Sequence, residues 1–280
     1  MRRSGVRFPS APPEPARSRP SWAIFSVNRR RAARKESGVT QDADTLTVEV
    51  WRGDASGGGY VAYAVPRRES QTVLDVVTWI QQNAEPALAY RFACRVGMCG
   101  SCAMTVNGAP RWTCRTHVRR VAKAGRLRIA PLRNLPVIRD LAADLAPFFD
   151  KWTAAGGTFA PTGTRDDPPA VISPQTPERE AADAGIECIN CAVCYAACDT
   201  VAMAPDYLGP AALNRAWTLV NDARDGGQAE RLAAVSGGNG CANCHSHQSC
   251  AELCPNGLSP TAAIAGLKRA AGRAWLRGGA

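Results

Sequence analysis

Apolar and polar residues alternate over residues 45–51, with Leu46, Val48 and Val50 on one face, the pattern of a half-buried strand. Gly57 to Gly59 predicts a turn and Tyr60 to Val65 a second strand, so the pair predicts a hairpin. The period then changes. Val73, Val76, Val77 and Ile80 recur at i, i+3, i+4 and i+7, the apolar stripe of a helix, and Thr72 with Asp75 has the form of a capping box that opens it. Cys102 to Val106 is again strand-like, with an Asn107–Gly108 turn behind it, and Arg126 to Ile129 predicts a further strand. Ile138, Leu141, Leu145 and Phe148 predict a helix that hands the chain on to a second domain. Residues 153–177 hold five prolines among Gly and Thr and read as linker. Beyond them the pattern is helical, and Ser259 and Pro260 suit N-cap and N1 of a last helix through Ile264, Leu267 and Trp275.

Charge changes this picture only at the start of the chain. The formal net charge is +10, but residues 1–42 hold nine Arg and one Lys against three acids, so +7 sits there. The rest carries too little excess charge to predict a nucleic-acid partner. The leader is Arg-, Pro- and Ser-rich without apolar periodicity and is expected to be disordered, as an over-extended start or a transit peptide. No apolar run approaches the ~18 residues that a membrane span needs. Any membrane contact is therefore expected through a partner.

The chemistry lies in twelve cysteines, which fall into three groups of four. Cys94-x4-Cys99-x2-Cys102-x11-Cys114 has the plant-type [2Fe–2S] spacing. Gly97 and Gly100 let that loop fold round a cluster and aim N–H groups at sulfur. With strand, strand, helix, cysteine loop and strand in order, residues 43–136 are expected to form a β-grasp ferredoxin domain. Cys188-x2-Cys191-x2-Cys194-x3-Cys198 is the run of bacterial two-cluster ferredoxins, whose fourth cysteine ligates the other cluster. This assigns Cys188, Cys191, Cys194 and Cys254 to a [4Fe–4S] cluster and leaves Cys198, Cys244 and Cys250 for a second one. Where an ordinary four-iron site has a middle cysteine, Cys244-His-Ser-His-Gln-Ser-Cys250 has His247, and three thiolates favour [3Fe–4S]. Residues 137–280 are then an all-helical domain like a two-cluster bacterial ferredoxin, and the fold class is α+β. Structural zinc is the rival for any four-cysteine set, though interleaved glycines suit an iron–sulfur loop better. Disulfides are disfavoured by the tight C-x2-C spacings and the lack of a signal peptide. Cys241 is surplus. With Cys244 and His245 it spells a haem-attachment sequence, but Cys244 is already required by the cluster count, so a free thiol is expected.

Here the chain resembles the iron–sulfur subunits of succinate dehydrogenase and quinol:fumarate reductase. The resemblance runs from about residue 45 to 272. It is carried by Cys94-Arg-Val-Gly-Met-Cys-Gly-Ser-Cys102, Pro131-Leu-Arg-Asn-Leu-Pro-Val-Ile-Arg-Asp140, Gln175-Thr-Pro177, Cys188-Ile-Asn-Cys191, Pro205-Asp-Tyr-Leu-Gly-Pro210 and Cys250-Ala-Glu-Leu-Cys-Pro255. It implies [2Fe–2S], [4Fe–4S] and [3Fe–4S] clusters relaying single electrons between an FAD-containing flavoprotein and a quinone in a membrane anchor. No catalytic residue for succinate chemistry is expected in this chain. It further implies a peripheral place on the cytoplasmic face of the cell membrane, or on the matrix side if the leader is a transit peptide. His245 matches a position on the quinone side.

The sequence departs from that family in three places. Asp199 replaces the usual proline after Cys198, and an added carboxylate would favour the oxidised cluster. His247 replaces a small apolar residue at the vacant iron corner. It is either a fourth ligand, as imidazole is in Rieske centres, or a neighbour of the quinone pocket. Met203 stands where some members have tryptophan. His117 has no motif around it and is expected on the surface. The rival functional reading is a cluster-bearing adaptor of another flavin-linked oxidoreductase, in which the Pro131–Asp140 segment would not be expected.

Overall fold

The structure, a computed structural model, describes residues 45–277; the leader lies outside them. The alternation at the start becomes β1 (Thr45–Asp54), with Leu46, Val48 and Val50 wholly buried. It turns at Ala55–Ser56, where the Asp54 carboxylate accepts bonds from the Ser56 N–H and hydroxyl, and returns antiparallel as β2 (Gly57–Pro66). The glycines expected to make the turn lie inside β2 instead. Gly58 pairs with Gly53, and a Cβ on Gly58 would stand 2.7 Å from the Trp51 ring. Those glycines answer to a close cross-strand approach.

The expected helix is α1 (Val73–Asn83), opened by a complete capping box. Thr72 Oγ1 accepts from the Asp75 N–H, and the Asp75 carboxylate accepts from the Thr72 N–H. Its apolar stripe packs on the sheet with Val65, Leu127 and Ile129. β3 (Ala103–Val106) and β4 (Ala109–Trp112) form a hairpin through Asn107 and Gly108, both at positive φ. The sequence pattern did not predict β4, because Pro110 interrupts it; the strand is at the sheet edge, where proline is tolerated. After the short α2 (Val118–Val121), β5 (Arg126–Ala130) pairs parallel with β1 and antiparallel with β3. His117, expected on the surface, is half-buried and bridges Thr72 through its backbone.

The helix expected over Ile138–Phe148 is corrected. Ile138 lies in β6 (Val137–Arg139), and β7 (Ala142–Ala143) pairs back on it, so the sheet runs to Ala143, past the boundary expected after residue 136. Asn134 and Asp140 take positive φ here, and Asp140 is locked in place. Its carboxylate accepts from Arg52 Nε and from the N–H groups of Gly53 and Ala89. The helical spacing of the four apolar residues spans two unrelated segments. Only Phe148 falls inside α3 (Ala146–Ala154), which opens with a proline.

A stretch without helix or strand leads to α4 (Pro177–Ile186), α5 (Val193–Ala197), α6 (Asp199–Met203), α7 (Pro210–Val220), α8 (Gln228–Ser236), α9 (Ser249–Glu252) and α10 (Pro260–Leu276). α7 is buried over most of its length, and the short α5 over all of it. Gly266 of α10 meets Trp217 of α7 so closely that a Cβ would stand 2.5 Å from the indole. In α10, Ile264 and Leu267 are buried as expected, whereas Trp275 is exposed. The core of this region continues under the sheet to Cys102, Trp112 and Cys114.

Candidate iron–sulfur cluster sites

The first cysteine group lies on the loop between α1 and β3 and just after β4. Arg95, Gly97 and Gly100 are at positive φ, which curls the loop so that its amides point inward. The N–H groups of Val96 and Met98 donate to Cys94 Sγ at 3.4 and 3.2 Å, and the Cys94 N–H reaches Cys99 Sγ at 3.5 Å. The Ser101 hydroxyl lies 2.8 Å from Cys99 Sγ. That hydroxyl, helped by the Cys94 amide, lowers the Cys99 pKa to about 6. Cys114 is pushed up to about 11 by burial and then by Cys102 beside it. The group is two-sided, with Cys102 and Cys114 buried and Cys99 exposed. Four sulfurs, with backbone amides already donating to Cys94 and Cys99, are a donor set that fits an anionic iron–sulfur cluster.

Cys188, Cys191, Cys194 and Cys254 line one apolar pocket. Burial raises the pKa of Cys188, Cys191 and Cys194, and the charge of Cys254 adds to each. The Trp112 indole N–H, buried and otherwise unpartnered, is aimed at Cys191 and opposes part of that rise. A buried donor without another partner, facing a half-buried sulfur, fits a site for an anionic cluster.

Cys198, Cys244 and Cys250 line a second pocket, with His245 and His247 exposed on its rim and their rings 6.1 Å apart. Thr261 Oγ1 lies 3.2 Å from Cys250 Sγ. The wholly buried Tyr207 faces all three sulfurs; burial, then their charges, hold its phenol far above the usual tyrosine range. Lys268 Nζ donates to the Cys244 carbonyl at 2.7 Å. Cys241 is buried in the core and does not line the cavity, and Met203 is largely exposed. Among the described residues, no three His, Cys, Asp or Glu side chains close on one point as a single metal ion requires.

The three sites are fastened to one another. A Cβ on Gly100 of the first loop would lie 2.5 Å from Cys191 Cβ. The Asn134 amide donates to the carbonyls of Tyr195 and Cys198, and Arg133 lies 3.8 Å from Asp199, so the Pro131–Asp140 segment clamps the second loop. Sequence reasoning found every cysteine of these cavities but missed Ser101, Trp112, Asn134 and Tyr207. Three of these lie in or beside segments that carry the resemblance, yet a motif does not say which way a side chain points.

Residues 47–150 match the model of a 2Fe-2S iron-sulfur cluster binding domain, and residues 187–259 that of a 4Fe-4S dicluster domain. The sheet, the helices and the cysteine-lined cavities therefore define an electron-transfer iron–sulfur protein. The fumarate reductase iron-sulfur subunit of Haemophilus influenzae is 36% identical over 216 residues, covering 72% of this chain and 82% of the relative. That of Mycobacterium tuberculosis is 38% identical, covering 73% and 83%. The succinate dehydrogenase iron-sulfur subunit of Paracoccus denitrificans is 34% identical, covering 70% and 74%. A chain of the Mycobacterium smegmatis Sdh1 complex in its apo form superposes with a TM-score of 0.73 at 27% identity, covering 82% of this chain and 96% of that one. The chain belongs to the family of fumarate reductase and succinate dehydrogenase iron–sulfur subunits. Among the described residues, no helix is long and apolar enough to cross a membrane.

Proposed function

We propose that this chain relays single electrons between an FAD-bearing flavoprotein acting on succinate or fumarate and a quinone held by a membrane anchor. Cys94, Cys99, Cys102 and Cys114 hold [2Fe–2S] on a β-grasp ferredoxin domain that runs through Ala143. Cys188, Cys191, Cys194 and Cys254 hold [4Fe–4S], and Cys198, Cys244 and Cys250 hold [3Fe–4S], in a helical domain of the two-cluster ferredoxin kind. Bound there, the clusters supply one-electron redox chemistry; the chain supplies spacing, burial and hydrogen bonds to sulfur. The anchor lies at the end that carries His245 and Met203, and the subunit is peripheral, on the cytoplasmic side of the membrane.

The observation that carries this reading is the direct contact of the first cysteine loop with the second, Gly100 against Cys191. It sets the first cysteine loop against the second, as a relay with one cluster on each loop requires. The test is an assembled complex with its flavoprotein and anchor, frozen after addition of succinate and, separately, of reduced quinone with fumarate. Reduction of the three-iron centre by succinate is expected, and in the second sample its reduction by the reduced quinone and reoxidation by fumarate. Clusters that respond to neither pair, but to another flavin-linked substrate, would make the chain an adaptor of a different oxidoreductase.

A further inference from the structure

The second and third cysteine loops repeat one another in spacing and in backbone. Cys188-x2-Cys191-x2-Cys194 has Asn190 and Ala192 at φ 56° and 61° on either side of its middle residue. In Cys244-x2-His247-x2-Cys250, Ser246 and Gln248 flank the middle residue at φ 58° and 64°. Each loop then enters a short helix directly, α5 after Ala192 (ψ 6°) and α9 after Gln248 (ψ −4°). A left-handed non-glycine residue costs about 1–2 kcal/mol, so two on either side of one position in each loop mark a shared shape. In the first loop that shape delivers Cys191 to its cavity. In the other it delivers His247 to the cavity of Cys198, Cys244 and Cys250. His245 lacks this double flank.

We propose that His247 makes the open corner of the third cluster a fourth metal site, which takes up ferrous iron when the cluster is reduced. The inference rests on the ligand reading above. Imidazole is a competent iron ligand beside thiolates. Among the described residues, His247 makes no hydrogen bond or ion pair, and it is exposed, so an ion reaches it from solvent. The uptake balances without an electron: [3Fe–4S]⁰ and Fe²⁺ give [4Fe–4S]²⁺. The incoming ion loses its waters and gains one bond to a His247 nitrogen and three to cluster sulfides, and an imidazolium would release its proton.

The experiment uses the assembled complex, wild type and H247A, reduced anaerobically, incubated with ferrous iron, desalted and reoxidised. The reading is the oxidised three-iron EPR signal, with the [2Fe–2S] signal of a re-reduced portion as a measure of intact protein. In the wild type the three-iron signal falls several-fold after iron or is already missing on isolation, while H247A keeps it in full. H247C, which restores the repeat of Cys191, gives no three-iron signal at all. Equal retention in wild type and H247A after iron, or equal loss in both, overturns the proposal. A missing three-iron signal in H247A before iron is added overturns the three-thiolate reading as well, which separates the two failures.

Discussion

The hydroxyl of Ser101, 2.8 Å from Cys99 Sγ, is the most specific single contact in the first cluster site. Cys99 is the exposed member of its group, so solvent competes for that sulfur, and a fixed donor there matters more than another amide on a buried one. Hydrogen bonds to sulfur stabilise the reduced, more negative cluster and raise its potential. Ser101→Ala should therefore lower the [2Fe–2S] midpoint by roughly 50 mV, the equivalent of one ordinary hydrogen bond for a one-electron couple. An EPR-monitored redox titration of the complex reads it, and an unchanged midpoint would place the hydroxyl elsewhere in the holo state. Asp199 acts in the opposite sense on its own cluster, but weakly. It is exposed, and Arg133 at 3.8 Å balances its charge.

At the scale of elements, the contact between the first two cysteine loops tolerates no side chain at Gly100. The residue has φ +71°, and a Cβ would press on the Cβ and Cα of Cys191, which cannot move without displacing a cavity wall. Gly100→Ala should cost about 1–2 kcal/mol from the backbone conformation alone, with the clash added. Lower iron content and a lower Tm of purified complex would register it; wild-type values for both would mean the loops separate freely. Arg231 of α8 is a second fastener. It donates to Asp225 at 2.6 Å and to the carbonyls of Gly156 and Thr158, with both side chains of the ion pair buried. Asp225→Asn leaves that guanidinium buried without its counter-charge and should cost ~3–5 kcal/mol, read by thermal unfolding. Burial pushes the Asp225 pKa up, but the bonds from Arg231, Ala160 and Gly227 outweigh it and hold it below the usual range. Its stabilisation is thus complete above the unfolded carboxylate pKa of about 3.9 and is lost as pH falls below that, so the gap between wild type and D225N should close in acid. Elements with an uninterrupted period of their own, β1 and α1, were legible in the sequence. The strands β4, β6 and β7 were not, because Pro110 breaks one pattern and the conformation of Asp140 depends on partners as distant as Arg52. The cysteine sets were legible by spacing; Tyr207, Trp112 and Arg231 were not, since only the packed chain gives their side chains a direction.

Across the whole molecule the cysteines are distributed unevenly between two cores. The core between α1 and the sheet, from Leu46 and Val48 to Leu127 and Ile129, contains no cysteine. The other holds Cys102, Cys114, Cys194, Cys241 and Cys250 among Tyr195, Leu213 and Ile264. Iron binding therefore couples to folding on one side of the molecule far more than on the other. Burial holds the thiols of Cys188, Cys194 and Cys250 above their ordinary pKa, so without iron they are neutral groups. The loops around these sulfurs run into α5 and α9, each only about one turn long, which cannot hold that part of the chain without the bonds from sulfur to iron. Removing iron by anaerobic chelation should open residues 187–259 to fast amide exchange while β1, β2 and α1 stay protected. Hydrogen exchange read by mass spectrometry on the full chain, before and after chelation, decides this. Loss of protection everywhere at once would mean that the cluster sites and the sheet fold as one cooperative unit. Unchanged protection at 187–259 would mean that the helical packing of α7 and α10 holds the empty cavities open without iron.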